Sequence, residues 1–397
     1  MESGDIAWLL ISTALVLFMV PGLALFYGGM VRSKNVLNML NMNTYCLGVV
    51  PLLWVLVTFS LANSGSGEGI GNFIGNFDNI GLKDLKGTDL IGVAFSMTFA
   101  AITPALIAGA VADRMKFVAW VVFVPVWSLL VYTPVFYWVY YGWHHDLSPG
   151  AIDFAGGTAI HINAGVASLA LVMVLGKRAG WPDQAMPPHN LPFVMLGAGI
   201  LWFGWFGFNA GSALAANGQA AHALLNTFVA GSAGMIAWLA LEWKRDGHAT
   251  TLGGASGVIA GLVAITPAAG FVGGLSPIIF GAVAAVACYF AIQLKTKYGY
   301  DDSLDVVGIH MVGGIVGGVL LGFFADETIG GVDGAFFGDA GLIVSQVIAI
   351  VSVMVFSFAV TYGIAKVLDN VIGLRASDDD ERTGLDQTQH AETAYVD

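Results

Sequence analysis

Charge is scarce in this chain. Asp, Glu, Lys and Arg make up 11% of its 397 residues, against about 25% in a soluble domain. An ordinary soluble protein is thereby excluded. Cysteine is scarcer still. Cys46 and Cys288 both lie in apolar runs, so neither a disulfide framework nor a cysteine metal motif is available. They read as small buried hydrophobes. Basic residues are outnumbered, and the net charge is −12. Much of that excess lies in residues 367–397, which hold eight acids against Arg375 and Arg382. Such a balance argues against nucleic acid as a partner. The first residues, Met1-Glu-Ser-Gly-Asp5, place no basic stretch before the apolar run. The first apolar segment is therefore expected to be a retained helix, not a cleaved signal peptide.

What is present is hydrophobic length. Apolar residues make up 57% of the chain, and 53 glycines suit close helix contact in lipid. A hydrocarbon core of about 30 Å needs about 20 apolar residues per helix. The sequence predicts an all-α membrane protein with eleven spans, near 6–30, 36–61, 89–112, 117–141, 155–175, 190–214, 220–242, 252–268, 275–294, 304–324 and 340–366. Thirteen of the 15 Lys and Arg residues follow odd-numbered spans; Lys83 and Lys86 are the exceptions. The positive-inside rule then puts the N-terminus outside and the C-terminus in the cytoplasm. Ten spans plus one suggest two five-helix repeats, about 6–175 and about 190–324, and a final helix. Five being odd, the second repeat enters inverted. A membrane domain over 1–366 and a cytoplasmic tail over 367–397 follow.

Two histidines lie deep in spans in like contexts. His161 closes Asp153-Phe-Ala-Gly-Gly-Thr-Ala-Ile-His, and His310 closes Asp302-Ser-Leu-Asp-Val-Val-Gly-Ile-His. Each stands eight residues after an Asp. At 1.5 Å per residue each lies about 12 Å in. With the two Asp residues on opposite faces, the imidazoles can meet near the midplane. An ionisable group there is costly and points to function. Asp153 and Asp302 read first as helix N-terminal caps, and direct substrate contact is the lesser reading. Without a Cys or carboxylate at the same depth the pair is a poor metal set. Without a nucleophile there, an enzyme is not expected. Neutral imidazoles can instead donate, accept and relay protons.

Aromatics accompany them. Phe95 and Phe99 share a helix face, as do Phe208 and Ser212. A Ser beside aromatic faces suits a small cation, although such stripes are more often packing.

The chain resembles the ammonium transporters of the Amt/Mep/Rh family, in the Amt branch. The resemblance rests on Pro21-Gly-Leu-Ala-Leu-Phe-Tyr-Gly-Gly29, Asp153-Phe-Ala-Gly-Gly-Thr158, His161-Ile-Asn163, Pro188-His-Asn-Leu-Pro192, Gly204-Trp-Phe-Gly-Phe-Asn-Ala-Gly-Ser212 and the tail Gly373-Leu-Arg375 with Gly384-Leu-Asp386. It implies a homotrimer in the cytoplasmic membrane with one pore per subunit. It implies a recruitment site of Ser212, Tyr140, Phe95 and Trp205, with Trp205 lining the pore. It further implies a gate of Phe99 and Phe208, a pore of His161 and His310, and Asp153 near the outer mouth. No cofactor or metal is implied. Ammonium would be deprotonated at the vestibule and cross as ammonia, with the proton relayed. The family usually carries Trp where Tyr140 or Tyr141 stands here. Trp143 could compensate if its loop folds back. By composition the tail would be solvated; the resemblance implies instead a packed segment and a PII/GlnK-type signal protein at the cytoplasmic face. An ammonium sensor with little flux and a gas channel of the Rh type are the alternatives.

Overall fold

The computed structural model describes residues 1–395 other than Ser66 and Glu68. In lipid every backbone N–H and C=O must find its partner within the protein, which leaves helices as the natural solution for apolar runs of this length. Among the described residues, ten helices are long and apolar enough to cross a membrane. They are α1 (Ser3–Met30), α2 (Ser33–Asn63), α3 (Asp89–Val111), α4 (Phe117–Tyr140), α5 (Gly157–Leu175), α6 (Leu191–Gly211), α7 (Gly218–Asp246), α9 (Ser276–Tyr298), α10 (Val307–Phe324) and α11 (Gly341–Val371). Between α7 and α9 lies α8 (Thr251–Ile265), apolar but shorter. Among the described residues no strand forms; one isolated bridge joins Met115 to Arg375.

The most extensive helix contact is α1 along α6, followed by α8 and α9 against α7. The centre of the bundle is where α5 and α10 cross. Their contacts run in opposite senses: Gly165 lies against Met311, while Gly157 and Ile162 lie against Gly314. A β-carbon on Gly165 would meet the Met311 backbone. Small residues here bring two backbones together and with them the side chains that follow.

Both central helices open with a π-helical turn, Gly157–Ile162 in α5 and Val307–Met311 in α10. Each turn contains its histidine. Such turns carry an extra residue per turn and often mark functional sites.

The tail is packed. After α11 the chain runs back under one end of the bundle as α12 (Asp378–Thr383) and α13 (Leu385–His390). Leu374 and Leu385 are fully buried. Asp386 accepts hydrogen bonds from the backbone N–H groups of Leu37 and Asn38, at 3.0 and 2.7 Å. A tail carboxylate therefore caps the N-terminal end of α2, where free N–H groups and the helix dipole favour negative charge. Glu381 accepts from Arg375 Nε at 2.6 Å and from the Ala179 N–H at 3.0 Å. We call this end the tail face.

Candidate functional site

Asp153 fixes the start of α5. Its two carboxylate oxygens accept four backbone N–H bonds, from Gly156, Gly157, Thr158 and Ala159, at 2.6–3.0 Å. The chain can wrap the carboxylate this way because Gly156 sits at φ +106°, a region that penalises a β-carbon. Burial pushes the Asp153 carboxyl up to about 6 against the pull of those donors. Asp302 does the same for α10 with two donors, Val306 and Val307, at 3.1 and 2.7 Å. Of the three neighbouring acids in that turn, Asp302 is thus the one that caps the helix.

His161 and His310 meet. Their Nδ1 atoms are 3.1 Å apart, and their rings are near parallel at 14° with centroids 5.2 Å apart. A hydrogen bond between two Nδ1 atoms requires a proton on one and none on the other. In a neutral pair the donor ring then presents a bare Nε2, and the acceptor ring presents an Nε2–H. The pair is therefore polar along its length, and it reverses when the donor ring gains a proton at its bare Nε2, the shared proton crosses, and the acceptor ring gives up its Nε2 proton. His161 Nε2 is buried with no hydrogen-bond partner among the described residues. Trp205 stacks on His161 at 5.4 Å and 18°. Its own Nε1–H donates to Thr266 Oγ1 at 2.9 Å, which holds the indole in place.

A cavity of about 20 Å³ lies against both histidines, bounded by Ile160, Trp205, Phe208, Ile259 and other apolar side chains. That is room for about one water-sized molecule. Phe208 closes it on the side away from the tail, against Phe99 with centroids 4.3 Å apart and the rings tilted by 31°. Phe95 packs edge-on against Phe99 at 4.8 Å.

Beyond the two phenylalanines a vestibule of about 250 Å³ opens on the face opposite the tail. Its walls include Phe95, Phe99, Tyr140, Tyr141 and Ser212. The Ser212 hydroxyl donates to the Phe208 carbonyl at 2.8 Å, so its oxygen lone pairs remain free to accept from a cation. Trp143 does not fold back into this space. It packs against Phe73, Trp138 and His144. Trp205 also lies apart from the vestibule, on the histidine side of the phenylalanine pair. The structure thus brings Ser212, Tyr140 and Phe95 together and joins Trp205 to His161 instead.

On the tail side a second cavity of about 20 Å³ runs from His310 past Phe26, Tyr27 and Ser256 to Asp305. Asp305 also lines the wider mouth beyond it, about 250 Å³, with Arg32, Asp113, Arg178 and Lys295. Asp113 binds Arg32 at 2.8 Å and lies 3.7 Å from Arg178, which also grips Asp301 at 2.8 Å. Burial alone would raise the Asp301 carboxyl; the Arg178 and Arg114 guanidiniums overcome this and hold it below the usual range. Lys295 Nζ bonds Asp305 Oδ1 at 2.6 Å and the Asp302 carbonyl at 3.0 Å. Neither Lys295 nor Asp305 stands out by sequence: one belongs to the basic flank of α9, the other is a neighbour of Asp302. The available signal was an acid two residues before α10, facing a lysine across a short turn.

The chain is similar to known proteins along nearly its whole length. The family model described as Ammonium Transporter Family matches residues 7–395. An ammonium transporter of Mycobacterium tuberculosis is 48% identical, over 99% of this chain and 90% of that protein. Ammonium transporter Amt1 of Archaeoglobus fulgidus is 43% identical, over 100% of both chains. The crystal structure of Candida albicans Mep2 superposes with a TM-score of 0.89 at 33% identity, covering 96% of this chain and 88% of that one. A structure described as a Sensor Amt Protein shares the fold, with a TM-score of 0.91 at 24% identity over 98% of each chain. This multi-pass membrane protein belongs to the ammonium transporter family.

Proposed function

We propose that the chain conducts ammonium across the cytoplasmic membrane through the line of cavities just described. The observation that carries this reading is the hydrogen-bonded pair His161–His310, set between an aromatic vestibule and a charged inner mouth. Ammonium is recruited between Ser212, Tyr140 and Phe95. It loses its proton at the vestibule, and neutral ammonia passes the gate of Phe99 and Phe208. A charged side chain at the bilayer centre costs about 2.5–3.5 kcal/mol by insertion scales and 10 or more by simulation. A cavity walled by Ile, Phe and Trp offers no substitute for the hydration shell of an ion. The histidine pair accepts and donates hydrogen bonds along the line and relays the proton, so transport is electrogenic. Trp205 holds the His161 ring in register. Asp153 and Asp302 fix the helix entries that aim the rings.

The deprotonation step has a direct test. K⁺ has no proton to shed, so in reconstituted membranes it should neither carry current nor compete with ammonium. Competition by K⁺ in the wild-type protein would sink the step.

Tyr140 gives the vestibule a weaker cation–π face than Trp would. The variant Tyr140→Trp should lower the half-saturating ammonium concentration about 2–5-fold, the effect of roughly 0.5–1 kcal/mol of added cation–π attraction. Currents on a supported membrane measure it. An unchanged or higher half-saturation would remove Tyr140 from the recruitment site.

The same reading takes residues 1–366 as the membrane domain and 367–397 as a cytoplasmic regulatory tail. It counts α8 as the eighth of eleven spans. The two halves are inverted five-helix repeats, with α11 as the final helix. The opposed contacts of α5 and α10 support the inversion. The N-terminus is outside and the tail face is cytoplasmic. The protein assembles as a homotrimer, and the tail face is where a PII/GlnK-type signal protein would dock.

A further inference from the structure

Five charged side chains line the inner mouth, Arg32, Asp113, Arg178, Lys295 and Asp305, and they are not equivalent. Arg32 and Arg178 are tied to Asp113 and Asp301, whose side chains are 1% and 0% exposed. Those two acids are locked behind the arginines. Lys295 and Asp305 are 19% and 25% exposed and face the passage. Asp305 is also the first carboxylate or ammonium side chain reached from His310, because it lines both the narrow cavity and the mouth.

The lysine head is itself an alkylammonium. It has the charge and the N–H donors of the substrate, on a tether. It rests between the Asp305 carboxylate and the Asp302 carbonyl, two acceptors that would serve a free ammonium ion equally well. Asp305 holds its place at φ +63°. Among side-chain-bearing residues Asp and Asn tolerate that region best, so Asp305→Asn removes charge and leaves the backbone as it is.

We propose that Asp305 and the Asp302 carbonyl form an ammonium site at the inner mouth, which Lys295 occupies as a tethered surrogate and so gates loading of the pore from the tail side. An ion approaching from that side must displace the lysine head and meets its positive charge. Loading from the vestibule, about a pore length away, meets neither. The inference rests on the pore reading above.

The test uses full-length protein in oriented proteoliposomes, with ammonium jumps applied to one face at a time. The readout is the ratio of tail-side to vestibule-side half-saturation, which cancels changes in folded fraction. Lys295→Met exposes the carboxylate and should lower the ratio roughly threefold to thirtyfold. That range is what a unit charge gives at about 8 Å between bulk water and a protein surface. Asp305→Asn frees the lysine charge and should raise the ratio by a similar factor. The double variant should return near the wild-type ratio. Shifts of the same sign in both single variants, or no shift in either, would overturn the gate while vestibule-side current still supports the pore. An absence of ammonium current from either face of the wild type would overturn the pore and the gate together.

Discussion

Replacing His161 and His310 together by alanine should lower the ratio of ammonium current to K⁺ current by on the order of 100-fold. Positioned proton transfer typically contributes 10²–10⁴-fold, and the pair is the polar contact of the central cavity. Two effects act in one direction. The acceptor for ammonia and the path for its proton disappear. The space left by two imidazoles also admits water, and a wet pore no longer discriminates against a hydrated ion. The neutral pair needs one donor and one acceptor at its 3.1 Å contact, so either single alanine breaks the relay as well. Side-by-side currents with ammonium and K⁺ on a supported membrane measure the ratio. An unaltered ratio in the double variant would leave the histidines as packing groups and end the relay.

The second large effect concerns stability. Asp153→Ala strips four buried N–H groups of their acceptor at once. Each unsatisfied buried donor costs about 1–3 kcal/mol. Water from the face opposite the tail can reach some of them, so the total should be on the order of 3–5 kcal/mol. That is a large part of the stability of a typical fold. Asp302→Ala removes two such bonds and should cost about half as much. Asp153→Asn keeps one oxygen and should fall between. Thermal melting in detergent ranks the three. A milder loss for Asp153→Ala than for Asp302→Ala would show that counting donors is the wrong account of these caps.

Much of this arrangement was legible because membrane folding leaves the chain few choices. An apolar run must be a helix, and an acid at its entry must cap it. Eight residues of separation from an Asp gave each histidine the same expected position inside its span, and the two histidines do touch. Phe95, Phe99, Phe208 and Ser212 were placed by helical spacing, and they line one passage. The tail divided composition from motif: its acidity suggested a solvated segment, yet Asp386 ends on the amides of α2. That outcome depends on a contact some 349 residues away in sequence, which no local pattern carries. The resemblance implied Trp205 both in the recruitment site and in the lining of the pore, and Trp205 lies against the histidine cavity, outside the vestibule. The indole turns toward His161, because its N–H is drawn to Thr266. Lys295 and Asp305 were invisible as a pair, since nothing in the sequence says that a loop turns through φ +63° to aim the acid at the lysine.

The π-helical turns around His161 and His310 have a consequence for how such a site can be inherited. Each turn carries one residue more than an α-helical path, and each residue of an α-helix sweeps about 100°. Losing a single residue between Asp153 and His161, or between Asp302 and His310, would swing the ring by about 100° around the helix axis unless the π turn relaxed to α-helix and took up the change. Without that relaxation the cap and the ring would point to different sides of the helix. Every residue type needed for the site would still be present, and the two rings would no longer meet. The twin-histidine contact is thus encoded by chain length as much as by side chains, and an alignment gap inside either octet would be a more telling sign of a lost pore than a substitution outside it.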